Sequence, residues 1–253
     1  CIETGTEVWN GGANYYTVAQ IVVGGVDAAN SLMAVKHLVY DEKKLTMAEL
    51  KKALAANFEG EYEKVRKLCY EDAPKHGNDI PEMNQMTHRV YESILKAFNN
   101  VDGGGNYLSK DIKSTPDAYT KSIHNLMGMV TGALPNGKRA GVALTDGSLS
   151  AMPGTDVNGP TALVMSAAKS QDAIKYSATH MNMKLPPDQL KSRKGRDTVM
   201  QLVRTLFLNE GYHIQFNVLD TAKLRDAQKH PENYRDLVVR VAGFSAFFTK
   251  LHV

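Results

Sequence analysis

The sequence is poor in cysteine, in tryptophan and in long apolar runs. Its 253 residues include two cysteines and one tryptophan, and no apolar run approaches the roughly 18–20 residues that span a bilayer. Cys1 and Cys69 cannot build a disulfide framework, so we expect a reducing compartment, the cytoplasm. The chain also begins without a charged-then-apolar signal peptide. These absences argue against a membrane-spanning protein and against a disulfide-rich secreted domain.

An excess of charge of either sign is also lacking. The 30 lysines and arginines are nearly balanced by 27 aspartates and glutamates, so the formal net charge is only +3. A nucleic-acid-binding domain usually has a stronger basic bias or a clustered basic stripe. The one basic cluster is expected to be a solvated loop, and it consists of Lys191, Arg193, Lys194 and Arg196. With 43% hydrophobic and 23% charged residues, the composition is that of an ordinary globular protein. Because the chain starts at a cysteine, we expect a fragment or a processed form.

Apolar periodicity predicts a mixed α/β chain whose strands are too far apart in sequence to form hairpins. Strands are predicted at 14–23, 212–219 and 236–248. Helices are predicted at 27–40, 46–58, 60–71, 82–99, 160–171, 197–210 and 221–229. Thr46 and Glu49 have the spacing of a capping box. Residues 101–120 are predicted to be a loop, and the long structureless segment 134–159 is expected to be functional.

The first motif that could carry chemistry is Cys1-Ile2-Glu3. In an extended turn, residues i and i+2 point to the same side, so the thiol and the carboxylate could face one substrate. Taken alone, this motif is more typical of an inert buried cysteine beside a surface glutamate.

The second motif is RVAGFSAFF at 240–248, where Gly243 interrupts a strand-like run. Glycine weakens the interior of a strand, so its presence needs a reason. One reason is a bulge or a close backbone approach. The other is chemical: a radical on the glycine α-carbon is stabilised by the flanking amide groups, and glycine can become planar there. Phe244, Phe247 and Phe248 would keep water away from such a radical.

Together the two motifs resemble those of the glycyl radical enzymes. The family's signature R-V-x-G-[YF]-x-x-x-F is matched by Arg240, Val241, Gly243, Phe244 and Phe248. Cys1-Ile2-Glu3 resembles the C-x-E motif of the dehydratase, lyase and decarboxylase branches, whereas the pyruvate formate-lyase branch has two adjacent cysteines. Further similar stretches lie at 11–32, 131–141, 153–163 and 211–244. The resemblance therefore covers nearly the whole chain.

The resemblance also shows two departures. Members of the family have a large N-terminal half that is absent here. Members also carry a long helical stretch between the cysteine loop and the GGANYY segment, where this chain has only Thr4 to Asn10. Either the chain joins segments that are not contiguous in such proteins, or a deletion has occurred. We expect the first, because a deletion would remove packing beside the cysteine.

The resemblance implies an α/β fold, the C-terminal part of a ten-stranded α/β barrel in which the cysteine loop and the glycyl radical loop meet inside. Residues 1–230 would form the barrel part, and 231–253 a glycyl radical domain truncated at its end. Gly243 would store the radical, Cys1 would abstract a hydrogen atom, and Glu3 would act as general base or hydrogen-bond partner.

The resemblance also implies cofactors and partners. No metal or other bound cofactor is expected for turnover. A separate activating enzyme, which uses S-adenosylmethionine and an iron–sulfur cluster, would install the radical on Gly243. A small-molecule substrate, a homodimer and an anaerobic setting are implied as well, with no nucleic-acid or membrane partner.

The implied activity is that of a lyase that cleaves a C–S, C–O or C–N bond of a small polar substrate. The sequence C-I-E-T-G, which is not of the form C-x-E-P, resembles the sulfonate-cleaving (isethionate-type) lyases more than the choline or glycerol/diol eliminases. Lys121, His124 and Asn125 are candidate substrate-binding residues, the first two for an anionic group, although they could equally be surface loop residues. Alternatives are an arylacetate or indoleacetate decarboxylase and a non-catalytic spare-part protein that supplies only a radical domain. His180 and His213 are expected to be strand or core histidines.

Overall fold

Short strands and the helices that connect them form the frame of the protein. The computed structural model describes residues 1–8, 12, 17–99, 113–120, 122–172, 175–176, 178–218, 220–241 and 244–251. The strands within these ranges are β1 (Thr17–Ile21), β2 (Lys113–Ala118), β3 (Ala178–Thr179), β4 (Met181–Leu185), β5 (Ile214–Val218), β6 (Val238–Val241) and β7 (Phe244–Phe247). The α-helices are α1 (Gly25–Val35), α2 (Met47–Ala55), α3 (Glu63–Lys67), α4 (Pro81–Asn99), α5 (Ile123–Met129), α6 (Gly159–Ser170), α7 (Pro187–Lys191), α8 (Arg193–Leu208) and α9 (Thr221–Lys229). None of the helices in these ranges is long and apolar enough to cross a membrane.

Five of these strands pair in parallel. β2 lies between β1 and β3, and β4 pairs with β5. Only His180 separates β3 from β4, so the segment 178–185 pairs first with β2 and then with β5. Parallel neighbours need crossover connections, and the helices between the strands supply them. The predicted mixed α/β class is confirmed.

Helices cover one face of the parallel strands. Met181, Met183 and Leu185 of β4 belong to the main buried cluster. The helical members of that cluster are Tyr91 and Leu95 of α4, Leu163, Val164 and Ala167 of α6, and Leu202 and Leu206 of α8. Because successive side chains of a strand point to opposite faces, Asn182 and Lys184 lie on the other side. The strands thus separate an apolar, helix-covered side from a polar side.

The segment 113–118 was predicted to be a loop and is instead strand β2. Pro116 favoured the loop prediction, since proline cannot donate to a strand ladder. β3 pairs with β2 only at Asp117 and Ala118, so among the described strands β1 alone pairs at Pro116. A strand with one open edge at that position tolerates the missing N–H. The rest of the predicted loop, 101–112, lies outside the described residues.

The prediction that no hairpin forms is wrong at the end of the chain. β6 and β7 pair antiparallel, with Val241 opposite Phe244. Positions 242 and 243 alone stand between the two strands. In sequence, the glycine of RVAGFSAFF stands between these two strands, at a position outside the described residues.

The observed starts of the first two helices agree only in part with the sequence-based predictions. The predicted capping box is present: Glu49 N–H donates to Thr46 Oγ1 at 3.1 Å, and Thr46 N–H donates to the Glu49 carboxylate at 2.7 Å. The helix predicted over 27–40 begins earlier, at Gly25, and its α-helical part is followed by a π-helical turn, Lys36–Asp41. Asp27 is not its cap but a buried residue with 2% exposure.

The basic cluster is solvent-exposed as predicted, but it lies on helices and not in a loop. Lys191 ends α7, and the other three residues stand in the first turn of α8. Ser192 begins α8 because its Oγ accepts a hydrogen bond from Gly195 N–H at 2.9 Å.

Tyr91 provides a test of the main core. Its hydroxyl is buried and donates to the backbone carbonyl of Ser148. Replacing Tyr91 by Phe leaves that buried carbonyl without this donor, so we expect the free energy of unfolding to fall by about 1–3 kcal/mol. Urea denaturation measures the change. The control is Tyr40→Phe, at a side chain that is 65% exposed; equal losses in the two variants would contradict this account.

Candidate active site

The Cys1–Glu3 motif lies in an exposed turn that closes on Gly12. The amino group of Cys1 donates to Gly12 O at 3.2 Å, and Thr6 N–H donates to Cys1 O at 3.2 Å. Gly12 N–H in turn donates to Glu7 O at 3.0 Å. Both Cys1 and Glu3 are exposed. The backbone around the thiol is therefore held by hydrogen bonds, although the side chains of the motif are open.

Gly243 and Lys121, two of the predicted site residues, lie outside the described residues. The strands on either side of Gly243 are β6 and β7. Of the phenylalanines expected to keep the radical dry, Phe247 is 42% exposed and Phe248 is half-buried. The ammonium of Lys250 lies 5.0 Å from the centre of the Phe247 ring.

His124 and Asn125 differ in their surroundings. His124 is the second residue of α5, its side chain is 12% exposed, and its Nδ1 lies 3.7 Å from Asp146 Oδ1. Asn125 is exposed, and its backbone N–H donates to Ser122 O at 3.1 Å. Of these two candidates, the structure brings only His124 to another potentially functional side chain.

Asp146 connects His124 to the polar side of the strands. Its second carboxylate oxygen accepts a hydrogen bond from the Asn182 amide. Asn182 Oδ1 accepts from Gln215 Nε2 at 3.0 Å, and these two residues are register partners in β4 and β5. A continuous chain of polar contacts therefore runs from α5 through Asp146 to β5.

Asp27 holds the loop that carries Asp146. Thr145 N–H donates to Asp27 Oδ2 at 2.7 Å, and Asn136 Nδ2 donates to Oδ1 at 3.0 Å. Burial raises the pKa of the Asp27 carboxyl, while these hydrogen bonds and the charge of Lys138 act in the opposite direction. The segment 134–159, expected to be functional, is thus fixed at Asn136 and Thr145 by one buried carboxylate.

Three aromatic side-chain rings lie in a row at the junction of β3 and β4. The centres of the Tyr119 and His180 rings are 4.5 Å apart, and those of His180 and His213 are 4.9 Å apart. His180 is fully buried, and in the described part of the chain neither of its ring nitrogens makes a hydrogen bond of normal geometry. Burial, followed by the neighbouring His213, lowers the pKa of His180 to about 4. His180 is therefore neutral at neutral pH.

Two neighbouring cavities share Asp146 and Lys184 in their walls. One has a volume of about 470 Å³ and is also lined by Arg66, His124 and Arg139. The other, of about 420 Å³, extends along β4 towards α6 and includes Asn182. Both have the size of a small-molecule site, which is roughly 300–1,000 Å³. Basic side chains predominate in the first cavity, although Glu63 pairs with both Arg66 and Arg139.

One group among the described residues has metal-ligand spacing, namely His37, Glu42 and Asp72. The ammonium of Lys44 lies 2.5 Å from the Glu42 carboxylate and 2.6 Å from that of Asp72. A side chain of the protein therefore already balances the two acids, and we assign no metal to this group.

Two family profiles match successive parts of the chain. A family profile described as "Pyruvate formate lyase-like" matches residues 1–128, and one described as "Glycine radical" matches residues 145–249. The chain belongs to the glycyl radical enzymes of the pyruvate formate lyase-like family. Its Cys1-Ile2-Glu3 motif lies in the first matched segment and RVAGFSAFF in the second.

Two curated glycyl radical enzymes and one solved structure illustrate the similarity. The trans-4-hydroxy-L-proline dehydratase of Clostridioides difficile is 39% identical over 99% of this chain and 31% of its own length. The indoleacetate decarboxylase of Tractidigestivibacter scatoligenes is 36% identical over 99% of this chain and 30% of its own length. The glycerol-bound B12-independent glycerol dehydratase of Clostridium butyricum matches with a TM-score of 0.90 at 38% identity, over 100% of this chain and 31% of the other. This chain therefore spans about a third of the length of these relatives, and its fold is that of the corresponding part of their barrel.

The comparison corrects one sequence-based expectation. The alignment with the Clostridioides difficile dehydratase needs 256 positions to cover 99% of these 253 residues. No long insertion therefore separates the residues aligned with Cys1-Ile2-Glu3 from those aligned with the 11–32 segment in that relative. The expectation that the chain joins distant segments at this point is wrong. The assignment of Cys1-Ile2-Glu3 to the family's cysteine loop stays a prediction, because a long helical stretch after that loop would place the loop outside the aligned part.

Sequence reasoning missed part of the polar network of this glycyl radical enzyme. Asp146, Asn182 and Gln215 were not among the predicted site residues. For β4 and β5 a signal exists, because polar residues alternate there with Met181, Met183 and Ile214. No local signal marks Asp146, which lies in a loop and reaches the strands only through tertiary contacts. The expectation that His180 and His213 are strand or core residues agrees with their positions beside β3, β4 and β5.

The buried imidazole of His180 predicts a pH effect on stability. A histidine whose pKa is lower in the folded protein than in the unfolded chain contributes to the stability of the fold. This contribution is fully present above the unfolded pKa, and it is lost as the pH falls towards the folded pKa. Because the pKa of His180 is lowered from the ordinary 6.5 to about 4, the free energy of unfolding falls by about 3 kcal/mol at most on acidification. His180→Leu should abolish this part of the acid sensitivity. We expect the variant to be more stable than the wild type at pH 5 and close to it at pH 7.

Urea denaturation at both pH values measures the difference. His76, also buried and with a pKa lowered to about 4, keeps its own contribution in both proteins, so the acid sensitivity should be reduced and not eliminated. The control is His230→Leu, at a side chain that is 56% exposed. If His180→Leu and the wild type lose stability in parallel from pH 7 to pH 5, the assignment of a neutral buried imidazole is wrong.

Proposed function

We propose that this chain carries the reactive residues of a glycyl radical lyase that cleaves a C–X bond of a small polar substrate. The observation that carries the proposal is the presence of both motifs, C-x-E and RVAGFSAFF, within the two segments that match the family profiles. A radical-storing residue and a hydrogen-abstracting thiol are both needed for such chemistry. The presence of Cys1 and Glu3 speaks against a spare-part protein, which needs the glycine segment alone.

The proposed reaction begins and ends with transfers of a hydrogen atom. The Gly243 radical takes the hydrogen atom of the Cys1 thiol, which leaves a thiyl radical on sulfur. The thiyl takes a hydrogen atom from a substrate carbon, and Glu3 accepts the proton of a hydroxyl on that carbon. The β substituent then leaves with the electron pair of its bond. The product radical takes the hydrogen atom back from Cys1, and sulfur regains one from Gly243.

The radical must first be formed, because Gly243 has an ordinary C–H bond in the resting protein. We propose that a separate activating enzyme removes this hydrogen atom, using S-adenosylmethionine and an iron–sulfur cluster. Such an enzyme must reach Gly243. The pairing of β6 and β7, the two short strands that flank Gly243 in sequence, supports this, since a two-stranded ribbon has little stability of its own.

The leaving group of the substrate separates two candidate reactions. The basic side chains around His124 support a substrate with an anionic group such as a sulfonate or carboxylate, and C-I-E-T-G favours sulfonate cleavage. The second candidate is decarboxylation of an arylacetate, supported by the 36% identity with an indoleacetate decarboxylase. Release of sulfite, water or amine from a substrate panel supports the lyase, whereas release of carbon dioxide alone supports the decarboxylase.

The radical itself is tested by anaerobic activation followed by electron paramagnetic resonance. We expect a doublet, because the unpaired electron on Gly243 couples to the one hydrogen left on its α-carbon. Gly243→Ala should abolish the doublet. If a competent activating enzyme produces no doublet in the wild type, the proposed function is wrong.

Cys1 and Glu3 are tested by variants that should keep the radical. Cys1→Ser should retain the doublet and lose turnover, since an alcohol O–H is not a comparable hydrogen donor. Glu3→Gln should also retain it and lose about 10²–10⁴-fold in kcat, the usual contribution of a general base. Loss of the doublet in either variant would instead assign that residue to radical formation.

A further inference from the structure

The polar side of β4 and β5 carries two neighbouring pairs of register partners, and only one of these pairs is satisfied within the described residues. Asn182 and Gln215 bind each other, and Asn182 also binds Asp146. The next pair along the strands is Lys184 and Asn217. Asn217 is 8% exposed, and in the described part of the chain its buried Oδ1 has no hydrogen-bond partner. A buried acceptor without a donor destabilises a fold, so this one points to a donor from outside the chain.

Lys184 is the cation beside this acceptor. Its side chain is exposed, and among the described residues its ammonium takes part in no hydrogen bond or ion pair. The other cations in the walls of the two cavities are engaged: Arg66 and Arg139 pair with Glu63, and Lys138 donates to backbone carbonyls. Of the lysines and arginines described in those walls, Lys184 is therefore the one available to an anion.

Both residues line the cavity of about 420 Å³ that extends along β4 towards α6. They are the second-to-last residues of β4 and β5, and ligands of parallel α/β sheets bind outside the carboxyl ends of the strands. The apolar lining of the cavity includes Leu163, Leu185 and Leu202. An apolar cavity with a few polar groups is typical of a small-molecule site. The terminal torsion of an asparagine is broad, so the Oδ1 atom of Asn217 can turn into the cavity.

We propose that Lys184 and Asn217 form a binding site for a short hydroxy acid. Lys184 pairs with the anionic group of the ligand, and Asn217 Oδ1 accepts a hydrogen bond from its hydroxyl group. A hydroxyl is the matching donor because the amide of Asn217 is itself neutral. The site does not depend on the proposed radical chemistry, since binding requires neither Gly243 nor Cys1.

A matched series of small molecules tests the two contacts separately in the wild type. Lactate carries the hydroxyl and the carboxylate, propionate lacks the hydroxyl, isopropanol lacks the carboxylate, and free alanine has an ammonium in place of the hydroxyl. A ligand-observed NMR titration measures each affinity. We expect saturable binding of lactate and binding of propionate that is weaker by about three- to tenfold, the usual contribution of one hydrogen bond. Alanine should bind more weakly than lactate, and isopropanol should not bind measurably at concentrations of lactate that saturate the site.

Lys184 is tested by removing or keeping its charge. Lys184→Met should weaken lactate binding by about tenfold or more, because a hydrogen bond to a charged group contributes more than a neutral one. Lys184→Arg keeps the charge and should keep most of the affinity. The control is Lys194→Met, at an exposed lysine in the first turn of α8, which should bind lactate like the wild type.

Asn217→Leu separates a binding role from a structural one. Because the Asn217 acceptor has no partner among the described residues of the ligand-free protein, an apolar side chain of similar size should leave the unfolding temperature unchanged or raise it. The same variant should bind lactate no better than the wild type binds propionate. Asn182→Leu is the contrast, since the Asn182 amide binds both Asp146 and Gln215, and its unfolding temperature should fall. Differential scanning calorimetry measures both.

Several results would overturn the site. One is a wild type that shows no saturable binding of lactate. Another is propionate or alanine binding as tightly as lactate, because no hydroxyl would then contact Asn217. A third is an unfolding temperature of Asn217→Leu as low as that of Asn182→Leu, since Asn217 would then have its partner within the fold. Unchanged lactate binding in Lys184→Met would equally exclude the charge pair. The proposed function is tested independently of all these, by the doublet and by turnover.

Discussion

The polar side of the parallel strands is the constraint on which much of the remaining structure depends. Parallel strands are usually buried on both faces, so polar side chains on one face need partners. Here Asn182 and Gln215 satisfy each other across β4 and β5, and Asn182 also binds Asp146. The loop that carries Asp146 is consequently fixed against the strands, and with it the imidazole of His124.

Buried polar side chains outside β4 and β5 also hold this loop. Asp27 accepts the Thr145 N–H, and Thr120 Oγ1 accepts the Gly147 N–H at 3.0 Å. Further along, Ser148 and Leu149 N–H groups bind the carbonyl of His180 at 2.9 and 3.0 Å. These bonds join the loop to the point where β3 gives way to β4. A long segment with little regular structure is therefore held in place, because several of its backbone groups bind strands and buried side chains.

Glycine serves two different purposes at the two motifs. Beside Cys1, the small volume of Gly12 leaves space for the sulfur. At Gly243, the chemistry proposed for the residue requires an α-carbon that can become planar.

The sequence by itself determined the class of fold, the family and the two motifs, because each rests on local patterns: the capping box at Thr46, the alternation in HIQFN and the residues of RVAGFSAFF. It failed where distant segments decide the outcome. Pro116 lies in a strand because β1 pairs with it, and Asp27 is buried because the 134–159 segment folds over it. The contacts of Asp146 and the closeness of Gly12 to the Cys1 sulfur are likewise tertiary. No local pattern encodes such contacts, since they depend on which backbone and side-chain atoms from separate segments arrive at the same place.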